Sequence, residues 1–353
     1  MGKAIALAVE EDRGGLTACP GRPEHASVPT IEDQIRQAAH ALGFVRVGFS
    51  SAEPLREHER LFHAWLDAGH AAGMDYLERS RELRADPRVL LPEARTVIVV
   101  AASYARPDEP GVPPGHGKIA RFAWGADYHP LFKSRLERLA EAVAAIAGHP
   151  ICWRSAVDTL PVLERAFAEA AGLGFLGKNT LLISPGIGSY TLLGLLLVDL
   201  KLQPDQPLAG RCGSCTLCLE ACPTGALVAP NVLDGGRCLS YLTIETTGPV
   251  PDELASRFDG WVFGCDVCQE VCPYNRPTPE LKAQRPDPEL APQTPLASVS
   301  LDALRGLRRG EYRRLIKGRT LRRTAIATFR RNAEIVATHA RRPLPRSEHD
   351  ERA

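Results

Sequence analysis

The sequence predicts an α+β protein in three working parts behind a loose N-terminal extension. These are a mixed α/β body over residues 29–205, a cysteine-rich segment over 206–290 and a basic helical segment over 291–353. Three observations predict this. Strand-like apolar runs, such as residues 96–102, intermix with amphipathic helical stretches as far as residue 200. Eight of the ten cysteines fall between positions 212 and 272. Residues 301–353 carry 15 Lys+Arg against 6 Asp+Glu, a net of +9, in a chain whose total is only +1. A length of 353 residues suits two or three domains. The 44 % hydrophobic and 24 % charged composition excludes disordered and fibrous classes. No apolar run nears the ~20 residues of a membrane-spanning helix.

In chain order, residues 1–28 read as a poorly ordered extension rich in Gly, Pro and charge. Their short apolar stretch, residues 4–9, runs at once into Glu10, Glu11 and Asp12, too short for a secretory core, so the cytoplasm is the expected location. Residues 30–42 have helical spacing, with Thr30 as N-cap and Asp33 three residues on. Residues 44–49 alternate like a strand, and 54–82 read as two helices broken near Gly69 and Gly73. The β-branched run 96–102 predicts a buried strand, and the Pro/Gly-rich stretch 105–117 a loop. Residues 129–148 form an amphipathic helix, 151–157 a short strand that buries Cys152, and 161–172 a helix with Pro161 at its first position. Strands follow at 180–183 and 190–200. Residues 286–295 read as a linker, and 299–340 as basic helix.

The cysteines carry the chemistry. A reducing compartment makes a dense cysteine cluster a metal site rather than a disulfide framework. Cys212-x2-Cys215-x2-Cys218-x3-Cys222-Pro223 has the bacterial ferredoxin spacing for 4Fe–4S clusters. Three thiolates on tight turns cap three corners of a cubane, and the fourth serves a second cluster. A structural zinc site uses paired CxxC motifs and has no reason for this run. The second run, Cys265-x2-Cys268-x3-Cys272-Pro273, lacks a cysteine at Val262, and Cys238 is the spare one nearby. Exchanging fourth ligands puts Cys212, Cys215, Cys218 and Cys272 on one cluster. The other takes Cys222, Cys238, Cys265 and Cys268.

Outside the cysteines, Gly172-x-Gly174-x-x-Gly177 fits a dinucleotide fingerprint as text, but a helix precedes it, and Asn179 spoils a P-loop. It reads instead as a helix end followed by tight turns, with Lys178 and Asn179 able to line a pocket. Asp158 stands before a helix, either as a cap or as a general acid at a strand end. Arg121, Tyr128 and His129 fall in a stretch dense in polar and aromatic types. The tail repeats an arginine pair, Arg322-Arg323 and Arg330-Arg331, about two helical turns apart. Such pairs sharing one face can meet successive phosphates.

The chain resembles the epoxyqueuosine reductases, cobalamin-dependent iron–sulfur enzymes that complete queuosine in transfer RNA. The residues that carry this are IARFAWGADYH at 119–129, Val157-Asp158-Thr159 leading into PVLER at 161–165, AGLGFLGKNTLLI at 171–183, all eight clustered cysteines, and SYLTIE at 240–245. The match spans roughly residues 30–340. Leu160 and Phe122 depart from the pattern, where a small residue and Tyr are usual. The resemblance implies a nitroreductase-like cobalamin-binding domain joined to a ferredoxin-like double-cluster domain, with base-off cobalamin near a cluster. It implies cofactor contacts from Arg121, Tyr128, His129, Lys178 and Asn179, and Asp158 as proton donor, with a raised pKa under the corrin. It further implies binding of the anticodon stem–loop of tRNAs with GUN anticodons, in which the basic tail contacts phosphates. An external low-potential electron donor and a monomer without membrane association complete the expectation. Related reductive dehalogenases share both cofactors, and a plain electron-transfer module would need neither Asp158 nor a corrinoid.

Overall fold

The computed structural model describes residues 29–106, 110–279, 286–292 and 294–339. The extension expected over residues 1–28, with Cys19, lies outside them. The first helix, α1 (Ile31–Ala41), starts as its sequence predicts: Thr30 Oγ1 accepts from the Asp33 N–H, and Asp33 accepts from the Thr30 N–H. Then come β1 (Arg46–Ser51), α2 (Arg56–Asp67) and α3 (Asp75–Arg79), the two helices separated at Gly69, whose φ is +76°. β2 (Thr96–Ser103) is buried along its full length. β3 (His116–Ile119) is followed by α4 (Tyr128–Ala147), which Asp127 caps and Gly148 ends at φ +75°. β4 (Trp153–Ala156), α5 (Glu164–Ala170), β5 (Phe175–Leu176), β6 (Leu182–Ile183) and β7 (Thr191–Val198) complete the body.

An antiparallel sheet in the order β1-β2-β7-β4 forms the middle layer of the body. The two-residue period of β2 divides its side chains between two cores. Ile98, Val100 and Ala102 pack with Phe132, Leu136 and Leu139 of α4 and with Ile35 of α1. Val97, Val99 and Ala101 pack with Phe167 and Ala168 of α5. A strand covered on both faces has no polar side to show, which is why its sequence is a continuous apolar run.

The cysteine-rich segment is built from short elements: α6 (Leu217–Glu220), β8 (Leu227–Ala229), β9 (Val232–Leu233), α7 (Leu239–Ile244), α8 (Asp252–Ala255), β10 (Trp261–Phe263) and α9 (Val267–Glu270). The tail supplies β11 (Ser298–Ser300), α10 (Leu301–Arg305), α11 (Arg309–Ile316) and α12 (Ile326–His339). A second sheet, ordered β10-β3-β11, takes one strand from each of the three sequence segments. Below it lies a core shared by Ile119 and Trp124, Phe258 and Phe263, and Leu304 and Phe329.

Several expectations are corrected. β3 begins inside the stretch read as loop and runs two residues beyond it. It has no strand partner nearby in sequence, and a Cβ on its Gly117 would stand 2.3 Å from Val262 Cγ1. α5 begins at Glu164, not Pro161, because residues 158–163 form a turn entered through Asp158 at φ +53°. Cys152 lies exposed just before β4 rather than buried within a strand. The linker over 286–295 is held down where it is described: the Asp287 N–H donates to the Ser103 carbonyl at 3.0 Å, and its buried carboxylate pairs with Arg135.

Candidate active site

Three loops bring the chemistry together: the turn after β4, the start of α4, and the short 3-10 turn Thr320–Arg323 of the tail. Asp158 caps nothing, since α5 has no side-chain cap. Its backbone N–H instead donates to Glu164 at the first turn of α5. A non-glycine residue at positive φ is uncommon, and strain of this kind persists where surrounding contacts hold it.

The Asp158 carboxylate ends a polar chain. His129 Nε2 meets Asp158 Oδ2 at 3.3 Å, and His129 Nδ1 meets Asp127 Oδ1 at 2.7 Å. The Tyr128 ring stacks on the imidazole at 4.1 Å between centroids. Arg323 Nη1 donates to the same Asp158 oxygen at 3.1 Å, and its Nε pairs with Glu245 at 2.6 Å. Arg322 Nε reaches Asp127 Oδ2 at 3.0 Å. Two consecutive arginines thus clamp both ends of an Asp127–His129–Asp158 chain.

These contacts set the charges. Burial pushes the Asp158 pKa up, but the hydrogen bond from His129 and the charge of Arg323 outweigh it and hold the carboxyl below its usual range. This corrects the expectation of a raised value. Burial lowers the His129 pKa, while its bonds to Asp158 and Asp127 raise it further, for a net rise. Glu164 is pushed up to about 7 by burial and by the neighbouring Asp158 charge. Tyr128 is also pushed up, first by burial and then by Asp158.

The thiols gather in two separate sets of four. Burial raises the Cys218 pKa, and Cys212, Cys272 and Cys215 add to the rise. Burial raises the Cys268 pKa, with further contributions from Cys265, Cys238 and Cys222 among its neighbours. Among the described cysteines these two sets share no member. Buried thiols packed on one another resist ionisation, whereas a bound cationic cluster favours their thiolates. The donor set therefore fits two 4Fe–4S clusters, whose one-electron chemistry spans low potentials. Backbone donors reach the sulfurs, from Lys178 N–H to Cys212 Sγ at 3.5 Å and from Ala226 N–H to Cys222 Sγ at 3.2 Å.

The structure divides the expected cofactor contacts. Tyr128 and His129 stand at Asp158. Lys178 belongs to the first cysteine set, its Nζ donating to the Gly213 and Cys215 carbonyls at 2.8 and 2.9 Å. Asn179 Nδ2 donates to the Cys268 carbonyl at 3.4 Å. Arg121 lies over the Tyr190 ring at 4.5 Å, and its backbone N–H donates to Asp266 at 2.7 Å, beside Cys265. The glycine-rich stretch before Lys178 turns at Gly172, φ +70°, but then enters β5, where the expectation had only turns, and a Cβ on Gly174 would lie 2.4 Å from the Ile183 carbonyl oxygen.

The donor chemistry also fits base-off cobalamin. His129 has both ring nitrogens occupied by carboxylates, and Asp158 keeps a side chain 39 % exposed that a bound group would cover.

The tail arginines split. Arg322 and Arg323 face the site, but Arg330 and Arg331 do not share their role. Arg330 donates to the Leu307 carbonyl, and Arg331 to those of Leu242 in α7 and of Thr246 and Gly248 just past its end. Asn332 adds bonds to the Thr243 and Val262 carbonyls. Arg331→Met is therefore expected to destabilise the fold by about 1–3 kcal/mol, read by chemical denaturation, while leaving the salt dependence of RNA binding unchanged. Sequence reasoning did not assign roles to Glu164, Glu245 or Tyr76, whose hydroxyl lies 3.5 Å from Arg323 Nη2. Glu164 and Glu245 carried a signal only through the motifs they sit in.

Comparison with known proteins adds to this geometry. Residues 84–159 match the family described as epoxyqueuosine reductase QueG, DUF1730, and residues 211–275 match the 4Fe-4S double cluster binding domain. An epoxyqueuosine reductase of Gloeobacter violaceus is 42 % identical over 305 residues, covering 85 % of this chain and 93 % of its own. One from Cellulophaga algicola is 36 % identical over 304 residues, covering 86 % and 97 %. A crystal structure of epoxyqueuosine reductase with an epoxyqueuosine-modified tRNA-Tyr stem loop superposes with a TM-score of 0.77 at 33 % identity, covering 88 % of this chain and 81 % of that one.

Proposed function

The chain belongs to the epoxyqueuosine reductase family, and on that premise we infer that it reduces epoxyqueuosine to queuosine at the wobble position of tRNA. One observation carries the reading. A carboxylic acid tied to an imidazole stands beside two tail arginines, in a chain that also gathers two four-thiol sets. Acid, polyanion contact and electron supply are what this reaction requires.

The balance is simple. Converting an epoxide to an alkene removes one oxygen as water and consumes two electrons and two protons. The electrons come from an external low-potential donor. We assign Cys212, Cys215, Cys218 and Cys272 to one cluster, and Cys222, Cys238, Cys265 and Cys268 to the other. Tyr128, His129, Arg121, Lys178 and Asn179 would hold base-off cobalamin. Cobalamin, when bound, supplies a cobalt centre able to accept single electrons and to act as nucleophile or reductant. Asp158 delivers a proton to the oxygen released from carbon, and His129, bonded to it and held charged, resupplies that proton. Arg322 and Arg323 present positive charge for the anticodon stem–loop of GUN tRNAs. The enzyme works as a monomer in the cytoplasm. Among the described residues no helix is long and apolar enough to cross a membrane.

The test is anaerobic. Protein with reconstituted clusters and bound cobalamin is given a strong reductant and epoxyqueuosine-containing tRNA, and the nucleosides are read by mass spectrometry. Loss of one oxygen is expected. No conversion, with both cofactors bound and reducible, sinks the tRNA reading and leaves a corrinoid reductase of another substrate.

A further inference from the structure

We propose that Arg323 is a substrate-sensing lock on Asp158: it holds the carboxylate in the RNA-free enzyme and exchanges it for a backbone phosphate when the RNA is seated. The inference rests on the reading of RNA as substrate and adds to it a coupling between binding and proton supply.

The geometry carries it. Asp158 Oδ2 receives two cationic partners at once, His129 Nε2 at 3.3 Å and Arg323 Nη1 at 3.1 Å. Arg323 divides its guanidinium between Asp158 and Glu245, so leaving Asp158 does not strand it without a carboxylate. Its side chain is 43 % exposed, and that of Arg322 is 62 % exposed, so an anion from solvent can reach both. Both belong to one four-residue turn, Thr320–Arg323, and a shift of that turn moves both ends of the Asp127–His129–Asp158 chain together. Arginine binds phosphate through the same planar fork that it offers a carboxylate, so the exchange replaces like with like.

The consequence concerns the proton. With Arg323 in place, Asp158 is a bound carboxylate and a poor acid. The other groups facing it are Tyr128 and His129 of α4, Glu164 and Arg165 of α5, Tyr76 of α3, and Arg84. Of these, Arg165 and Arg84 favour the carboxylate, while Glu164, whose pKa burial and the Asp158 charge push up to about 7, accepts the Asp158 N–H, so withdrawal of Arg323 leaves two neighbouring acids with one cation fewer. The proton that His129 holds between two carboxylates then moves along the existing Nε2···Oδ2 contact to Asp158. Asp158 gives it to the oxygen leaving carbon as the C–O bond breaks and an O–H bond forms. His129, left neutral, recovers a proton from solvent and supplies the second. The two electrons are those of the external donor already required.

The experiment uses the holoprotein and a stem–loop RNA carrying queuosine, the unreactive product. Binding is followed by fluorescence anisotropy across salt concentration. The protonation of Asp158 is followed by infrared difference titration, its band assigned by loss in Asp158→Asn. In the wild type, RNA is expected to move the Asp158 midpoint upward. In Arg323→Met the midpoint is already raised, RNA moves it no further, and the salt slope of binding falls by about one. Arg323→Lys keeps the charge, so a low midpoint in it excludes misfolding as the cause of the change. RNA that binds wild type yet leaves the midpoint still, or an Arg323→Met slope equal to wild type, overturns the lock. RNA that does not bind wild type at all overturns the substrate reading instead.

Discussion

Asp158→Asn is expected to lose reduction of epoxyqueuosine by about 10²–10⁴-fold while keeping both clusters and RNA affinity, because a positioned general acid contributes about that much. The side chain is nearly isosteric, and the positive-φ backbone that presents it tolerates Asn. The Glu164 acceptor for its backbone N–H is also untouched. What disappears is the transferable proton and the charge that restrains Arg323. RNA should therefore bind at least as tightly as to wild type. Single-turnover assays on epoxyqueuosine-containing tRNA, run beside binding isotherms, check both halves. A variant that turns over at the wild-type rate removes Asp158 from the role of acid. One that loses RNA binding along with activity points to misfolding of the turn.

Cys238→Ser carries the second large effect. Cys238 stands alone in sequence, opens α7, and contributes with Cys222 to the raised pKa of Cys265. Serine keeps the volume and removes the soft donor that iron prefers. Iron content should fall by about half, since one of two four-iron clusters is lost, and the spectrum of the remaining cluster should persist. Reduction of tRNA should stop because the electron path is interrupted. Retention of all iron would mean that another residue completes the second cluster, and the assignment would fail.

Parts of this protein can be read directly from its residues. The division of the thiols into two sets of four is legible in their spacing, because a run of cysteines on tight turns can place only three thiolates around one centre. Thr30 and Asp33 announce the start of α1, and 96–102 announces the central strand, because capping and burial are local demands. Other features depend on distant partners. β3 exists because strands from residues 261–263 and 298–300 pair with it, and nothing in the Pro/Gly-rich stretch around it says so. The two arginine pairs of the tail read alike. Only the fold sends Arg322 and Arg323 to carboxylates and Arg330 and Arg331 to backbone carbonyls. The lowered pKa of Asp158 was equally hidden, since Arg323 lies 165 positions away in the chain.

The proposed exchange of ligands makes the order of synthesis matter. The first four-cysteine run leaves the ribosome carrying three thiols of one cubane and one of the other, and neither can close. The second site needs Cys268, and the first needs Cys272, four residues later. Both cubanes therefore wait for the same short stretch of chain and become possible almost together. An iron donor that arrives early finds only open, oxygen-sensitive edges. Assembly of both centres should begin only once residue 272 has emerged, and a chain truncated before residue 265 should hold no stable cubane.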